Sequence, residues 1–159
     1  QIYGVQAPLM VGDEHWIYYV GIGARHWWDY HGDVANFGIG LATLRRDGFV
    51  SIDAGPEGVL ITPPLVFIGD SLELNANAAG GSIAVEALTP DGSVIDGFTT
   101  DVCTPITSDN VRHVIEWNGS ADCHQLQARP LKLRFHLSNA KLYSFTPRIR
   151  HKHYVPSYD

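Results

Sequence analysis

The chain has 159 residues, a formal charge of −6 and a pI near 5.7. That length suits one compact domain, or one domain with an appendage. The acidic balance excludes the basic surface that a nucleic-acid backbone requires, and no apolar run approaches the length of a membrane-spanning helix. The one basic cluster is Arg148, Arg150, His151, Lys152 and His153 near the C-terminus. Hydrophobic residues make up 45% and charged residues only 18%, with 16 glycines, 9 prolines, 7 tyrosines and 4 tryptophans. This mixture favours strands and turns over helices.

The chain starts at Gln1 rather than at a methionine, which is the expectation for a processed or trimmed chain. A strand over residues 5–11 is expected to pair, through the turn Gly12-Asp13, with the aromatic and β-branched run HWIYYVG at 15–21. Residues 22–38, IGARHWWDYHGDVANFG, show no period and read as a long loop, the kind of segment that carries function in a compact domain.

From Gly40 the pattern becomes regular. LATLRR (41–46) and FVSIDA (49–54) flank Asp47-Gly48, a strong hairpin signal because both central positions of such a turn favour positive φ. VLITPPLVF (59–67) is interrupted by Pro63-Pro64, which suits a break or a sheet edge. SLELNANA (71–78) alternates with Leu72, Leu74 and Ala76 on one face, and SIAVEAL (82–88) with Ile83, Val85 and Ala87. Further strands are expected at 93–98, 112–117, 131–137 and 140–145. In LKLRFHL, Leu131, Leu133, Phe135 and Leu137 share one face, while Lys132, Arg134 and His136 share the other. Short alternating strands separated by turn signals predict an all-β fold, an antiparallel two-layer β-sandwich of jelly-roll type preceded by a β-hairpin segment. The expected division is a hairpin and aromatic loop at 1–38, the sandwich at 39–147 and a tail at 148–159.

The densest set of candidate binding residues is Arg25, His26, Trp27, Trp28, Asp29 and Tyr30, with His31 and Asp33 close behind. Aromatic rings stack on the apolar faces of sugar rings, and Arg, Asp and His supply directional hydrogen bonds to hydroxyls. The competing reading is that Trp27 and Trp28 plug a core or a seam. The spacings among His26, His31 and Asp33, and of His151 and His153, are too loose to specify a metal, and a calcium site from Asp101 and Asp109 has only its oxygen chemistry in favour. No metal or cofactor is expected. Glycosidase chemistry uses two carboxylates across a cleft, whereas most carboxylates here stand at turn positions that favour Asp anyway; no catalytic residue is assigned. Gly-rich GIGARHW (21–27) lacks the strand–helix context of a phosphate loop. Cys103 and Cys123 could form a disulfide closing a loop of about 20 residues, contributing ~3 kcal/mol, or remain as two thiols. Asn118-Gly119-Ser120 is a glycosylation sequon that also reads as a polar turn.

The stretches IYGVQAPLMVGDEHWIYYVGIGARHW and GIGLATLRRDGFVSIDAG resemble the C-terminal part of bacterial proteins similar to glycoside hydrolase families 32 and 43, with LRFHLSNAKLYSF as a second specific stretch. The resemblance covers residues 2–147. It implies a last propeller blade containing WIYYVG, followed by a β-sandwich closed by the hairpin LKLRFHLSNAKLYSF. Four of the five blades that would shape the catalytic funnel are absent. It therefore implies a secreted or extracytoplasmic sugar context, with Arg25 and His26 matching an Arg-His step after the blade strand, and not hydrolase activity for this chain. The expected function is a carbohydrate-associated, non-catalytic module that takes a poly- or oligosaccharide, with no nucleic-acid or membrane partner. The alternatives are a structural protein that self-associates through β edges, and an incomplete glycoside hydrolase subunit.

Overall fold

The computed structural model describes residues 2–4, 7–23 and 37–150. Twelve strands are present among them, all paired antiparallel, and the chain divides into two units, residues 1–49 and 50–159.

The first unit is one sheet built on β3 (Glu14–Ile22). Along one edge β3 pairs over its full length with β4 (Phe37–Arg45); along the other it pairs with β1 (Ile2–Gly4) and β2 (Leu9–Val11) in turn. The turn between β2 and β3 falls at Gly12-Asp13 as the sequence suggests, with Gly12 at φ 61°.

The hairpin expected around Asp47-Gly48 is not formed, although the turn is. Asp47 takes a positive φ of 52°, and the Gly48 N–H donates to the Arg45 carbonyl at 3.0 Å. The residues before the turn belong to β4 and pair with β3, while those after it enter β5 (Ile52–Ala54), which pairs elsewhere. The nine-residue edge of β3 offers β4 a longer ladder than the local partner could, so long-range pairing overrides the turn signal. The boundary between units consequently falls after Phe49 and not at residue 38.

The second unit is an antiparallel β-sandwich of two four-stranded sheets. It contains β5, β6 (Gly58–Ile61), β7 (Leu65–Val66), β8 (Ser71–Asn77), β9 (Ser82–Leu88), β10 (Asp109–Val114), β11 (Pro130–Ser138) and β12 (Ala140–Arg148). One sheet runs β10-β8-β12-β5. In the other, β11 pairs with β9, β6 and β7, with the β6–β7 interruption at Pro63-Pro64. The first and last strands pair (β5 with β12), the next pair inward is β6 with β11, and β8 and β9 then lie beside β12 and β11. That is the strand order of a rolled-up hairpin, the jelly roll. Beside β9 the sheet is continued by an irregular segment. Ile95 donates to Ala87 O (2.9 Å), Ala87 donates to Phe98 O (3.0 Å), and Ile83 and Ile106 exchange bonds of 2.9 Å. The strand expected at 93–98 is therefore irregular chain, bent where Gly97 adopts φ 83°.

The alternation read from the sequence sets the core. Leu72, Leu74 and Ala76 of β8, Ile83, Val85 and Ala87 of β9, and Leu131, Leu133 and Phe135 of β11 are all fully buried in one cluster. Phe135 meets Phe145 of the opposite sheet with ring centroids 5.3 Å apart. Trp117 closes one part of the core, packing edge-on against Phe98 at 5.2 Å and donating its indole N–H to Val85 O at 2.9 Å. Gly81, in the β8–β9 turn, passes so near β11 that a Cβ there would lie 1.8 Å from the Ser138 carbonyl oxygen. No larger residue fits.

Truncating the inter-sheet contact should be costly. Phe135→Ala is expected to destabilise the fold by about 3–5 kcal/mol in urea unfolding, whereas Ile39→Ala, at a position 76% exposed on β4, should change it by less than about 0.5 kcal/mol.

Candidate functional site

The residues expected to bind sugar, Arg25, His26, Trp27, Trp28, Asp29 and Tyr30, together with His31 and Asp33, lie outside the described residues. In sequence they join β3 to β4, the two most extensively paired strands of the first unit.

Both faces of that unit's sheet are mainly apolar, with the charged pair Glu14 and Arg45 at one end. On one face Trp16, Tyr18, Val20 and Ile22 stand opposite Thr43, Leu41, Ile39 and Phe37. On the other, His15, Ile17, Tyr19 and Gly21 stand opposite Leu44, Ala42, Gly40 and Gly38. The second face is also flatter. Tyr19 lies across Gly40, where a Cβ would come within 2.3 Å of its ring. Sheets with one solvated face alternate apolar with polar; a sheet apolar on both faces is one that packs on both. Among the described residues of this unit none is buried, and Phe37 is 70% exposed.

Cys103 and Cys123 are both free and buried, so the disulfide is not formed. Their settings explain this. Cys103 accepts a hydrogen bond from the Val85 N–H at its Sγ (3.3 Å) and is bridged to Trp117, whereas Cys123 sits against Asp70, whose carbonyl takes its N–H at 2.8 Å. Each thiol is accommodated as a small core group. Burial, with the nearby Asp122 and Asp70 carboxylates, pushes the Cys123 thiol up to about 12, and burial likewise raises Cys103. Neither is poised as a nucleophile.

The most organised polar cluster lies on the outer face of the sheet centred on β11. Glu86 of β9 is directly opposite Arg134 of β11. Its Oε2 accepts from Arg134 Nε at 2.6 Å and lies 3.2 Å from His136 Nε2; its Oε1 accepts from the backbone N–H (3.4 Å) and hydroxyl (3.3 Å) of Thr100. Burial acts to raise the Glu86 carboxyl, but these bonds from His136, Thr100 and Arg134 outweigh it and hold the group below its ordinary value of 4.5. The sequence alternation places Lys132, Arg134 and His136 on one face of β11, but it does not reveal Glu86 as their partner. That pairing depends on the β9–β11 register, which no local signal fixes. The other carboxylates with perturbed acidity are exposed turn or edge groups. Ser51 and Lys141 hold Asp53 low, and the Thr89 hydroxyl does the same for Asp91. Among the described residues no group of three His, Cys, Asp or Glu side chains is arranged to hold a metal ion. A shallow, mainly apolar groove runs past Val50, Ile52, Leu60, Leu142 and Phe145.

No protein-family model, curated protein or solved structure matches the chain.

Because the folded-state acidity of Glu86 is strengthened, its ionised form stabilises the fold. That contribution is complete above the ordinary carboxyl range near 4.5 and is lost as pH falls through the lowered folded value. Glu86→Gln should cost about 1–3 kcal/mol at pH 7, the scale of hydrogen bonds to a charged group. The difference from wild type in urea midpoints should shrink progressively as pH falls below the ordinary carboxyl range near 4.5.

Proposed function

We propose that this chain is a non-catalytic, carbohydrate-associated module, a jelly-roll sandwich carried behind a propeller-type blade in an extracytoplasmic protein. One observation supports this above the others: the sheet of residues 2–45 is mainly apolar on both faces and buries none of its described residues, which is the design of a blade that packs between neighbours. A jelly roll follows it directly, as in the glycoside hydrolase arrangement that WIYYVG and LRFHLSNAKLYSF resemble. The sugar-facing role falls to Arg25, His26, Trp27, Trp28, Asp29 and Tyr30, which join the blade's two longest strands. The carboxylates Glu86, Asp53 and Glu73 fit this accessory role, because each is engaged by a basic side chain: Arg134, Lys141 and Arg148.

The same exposed apolar faces favour a second reading, self-association of the chain. Here the sheet faces, with Phe37 and Ile39 70% and 76% exposed, offer more apolar area than the strand edges do.

A glycan-array screen of the purified chain, run with light scattering, tests the two together. Binding by a monomer, weakened at least about tenfold (1.4 kcal/mol) by Trp27→Ala or Trp28→Ala, is the expected result. A monomer that binds no glycan would overturn the carbohydrate reading, and a large assembly that binds none would favour self-association.

A further inference from the structure

We propose that the outer face of β11 is a second saccharide site, specific for uronate units, in which Arg134 takes the sugar carboxylate. This rests on the carbohydrate-associated reading above and names a ligand class and a place for it on the sandwich.

Arg134 is held but not used up. Glu86 engages only its Nε, at 2.6 Å, and no other hydrogen bond or ion pair of the Arg134 side chain is made among the described residues. The two terminal nitrogens therefore keep a planar, paired set of donors, the geometry that matches a carboxylate in bidentate fashion. The arginine is also oriented in advance. Glu86 is only 8% exposed and is itself fixed from behind by the Thr100 N–H and hydroxyl. A ligand would not have to order the guanidinium on arrival, which removes part of the usual cost of binding.

The surroundings favour an acidic sugar over a bare anion. Lys132 and His136 stand on the same face of β11, each two residues from Arg134 and so about 7 Å along the strand. Lys132 makes no hydrogen bond or ion pair among the described residues. In register with these three positions are Leu88, Glu86 and Ala84 on β9, and Ile61 and Val59 on β6. Glu86 is thus the one carboxylate in that register, set against Arg134, Lys132 and His136, in a chain whose formal charge is −6. Val59 and Ile61 are 61% and 49% exposed beside His136 and Arg134. They form an apolar shelf on which the C–H face of a pyranose ring can rest while its carboxylate meets the guanidinium.

Calorimetric titration of the full chain at low salt, with short oligogalacturonates, neutral gluco-oligomers of equal length and sodium acetate, tests this. Oligogalacturonate should bind. Arg134→Lys, which keeps the charge but loses the fork, should weaken it about tenfold, and Lys132→Ala, which leaves the Glu86 cluster intact, about threefold. Thermal melts of each variant report that the fold is retained. Oligogalacturonate affinity equal in wild type, Arg134→Lys and Lys132→Ala overturns the site. So does acetate binding as tightly as the oligomer, which would make the cluster a simple anion site. Neutral oligomers bound through Trp27, with no response to oligogalacturonate, would remove the β11 site and leave the carbohydrate reading standing; no binding to any glycan would remove both.

Discussion

The period of two along β11 ties the core of the sandwich to its outer surface. Leu131, Leu133, Phe135 and Leu137 point inward and are buried, and Lys132, Arg134 and His136 point outward between them. A slip of one residue would exchange the two sets, driving three basic groups into an apolar core and the core residues into water. Because β11 is paired with β6, β7 and β9, its register also sets theirs, and it is this register that brings Glu86 opposite Arg134. The packing that makes the sandwich stable and the ion-pair cluster on its surface are therefore consequences of one alignment.

The first unit is built on the opposite plan. β3 and β4 are long and well paired, yet the side chains on both faces are mainly apolar and none of those described is buried. Backbone pairing alone is a weak source of stability, since hydrogen bonds to water are exchanged for hydrogen bonds within the sheet. Only the central strand β3 is half-buried, while β1, β2 and most of β4 are exposed, so this sheet gains less from burial. The contrast with the second unit, where two sheets cover one another, is a difference in the source of stability and not in secondary structure.

Much of the sandwich was legible because β8, β9 and β11 each turn an alternate row of apolar residues into the core. The alternation in SLELNANA, SIAVEAL and LKLRFHL predicts the inward residues that the structure buries, and Pro63-Pro64 predicts the break between β6 and β7. What was not legible depends on partners distant in sequence. Asp47-Gly48 forms its turn, but whether the flanking strands pair is decided by β3 and by β12, far along the chain. Residues 93–98 carry apolar residues at plausible spacing, but Gly97 and the bonds to Ala87 make them an irregular edge. The disulfide failed for a similar reason: two cysteines about 20 residues apart satisfy a loop-closure argument, while their positions depend on Val85 and Asp70. Lys132, Arg134 and His136 could be placed on one face, but their carboxylate partner could not. Residues 25–30, the strongest sequence candidate, lie outside the described residues.

Amide hydrogen exchange on the purified chain measures the central contrast directly. Amides of β8, β9 and β11 should exchange only through global unfolding, and those of β1–β4 through local opening at far smaller free energy. Protection of β3 and β4 equal to that of β11 would show that the first unit has a covered core of its own, and would contradict the account.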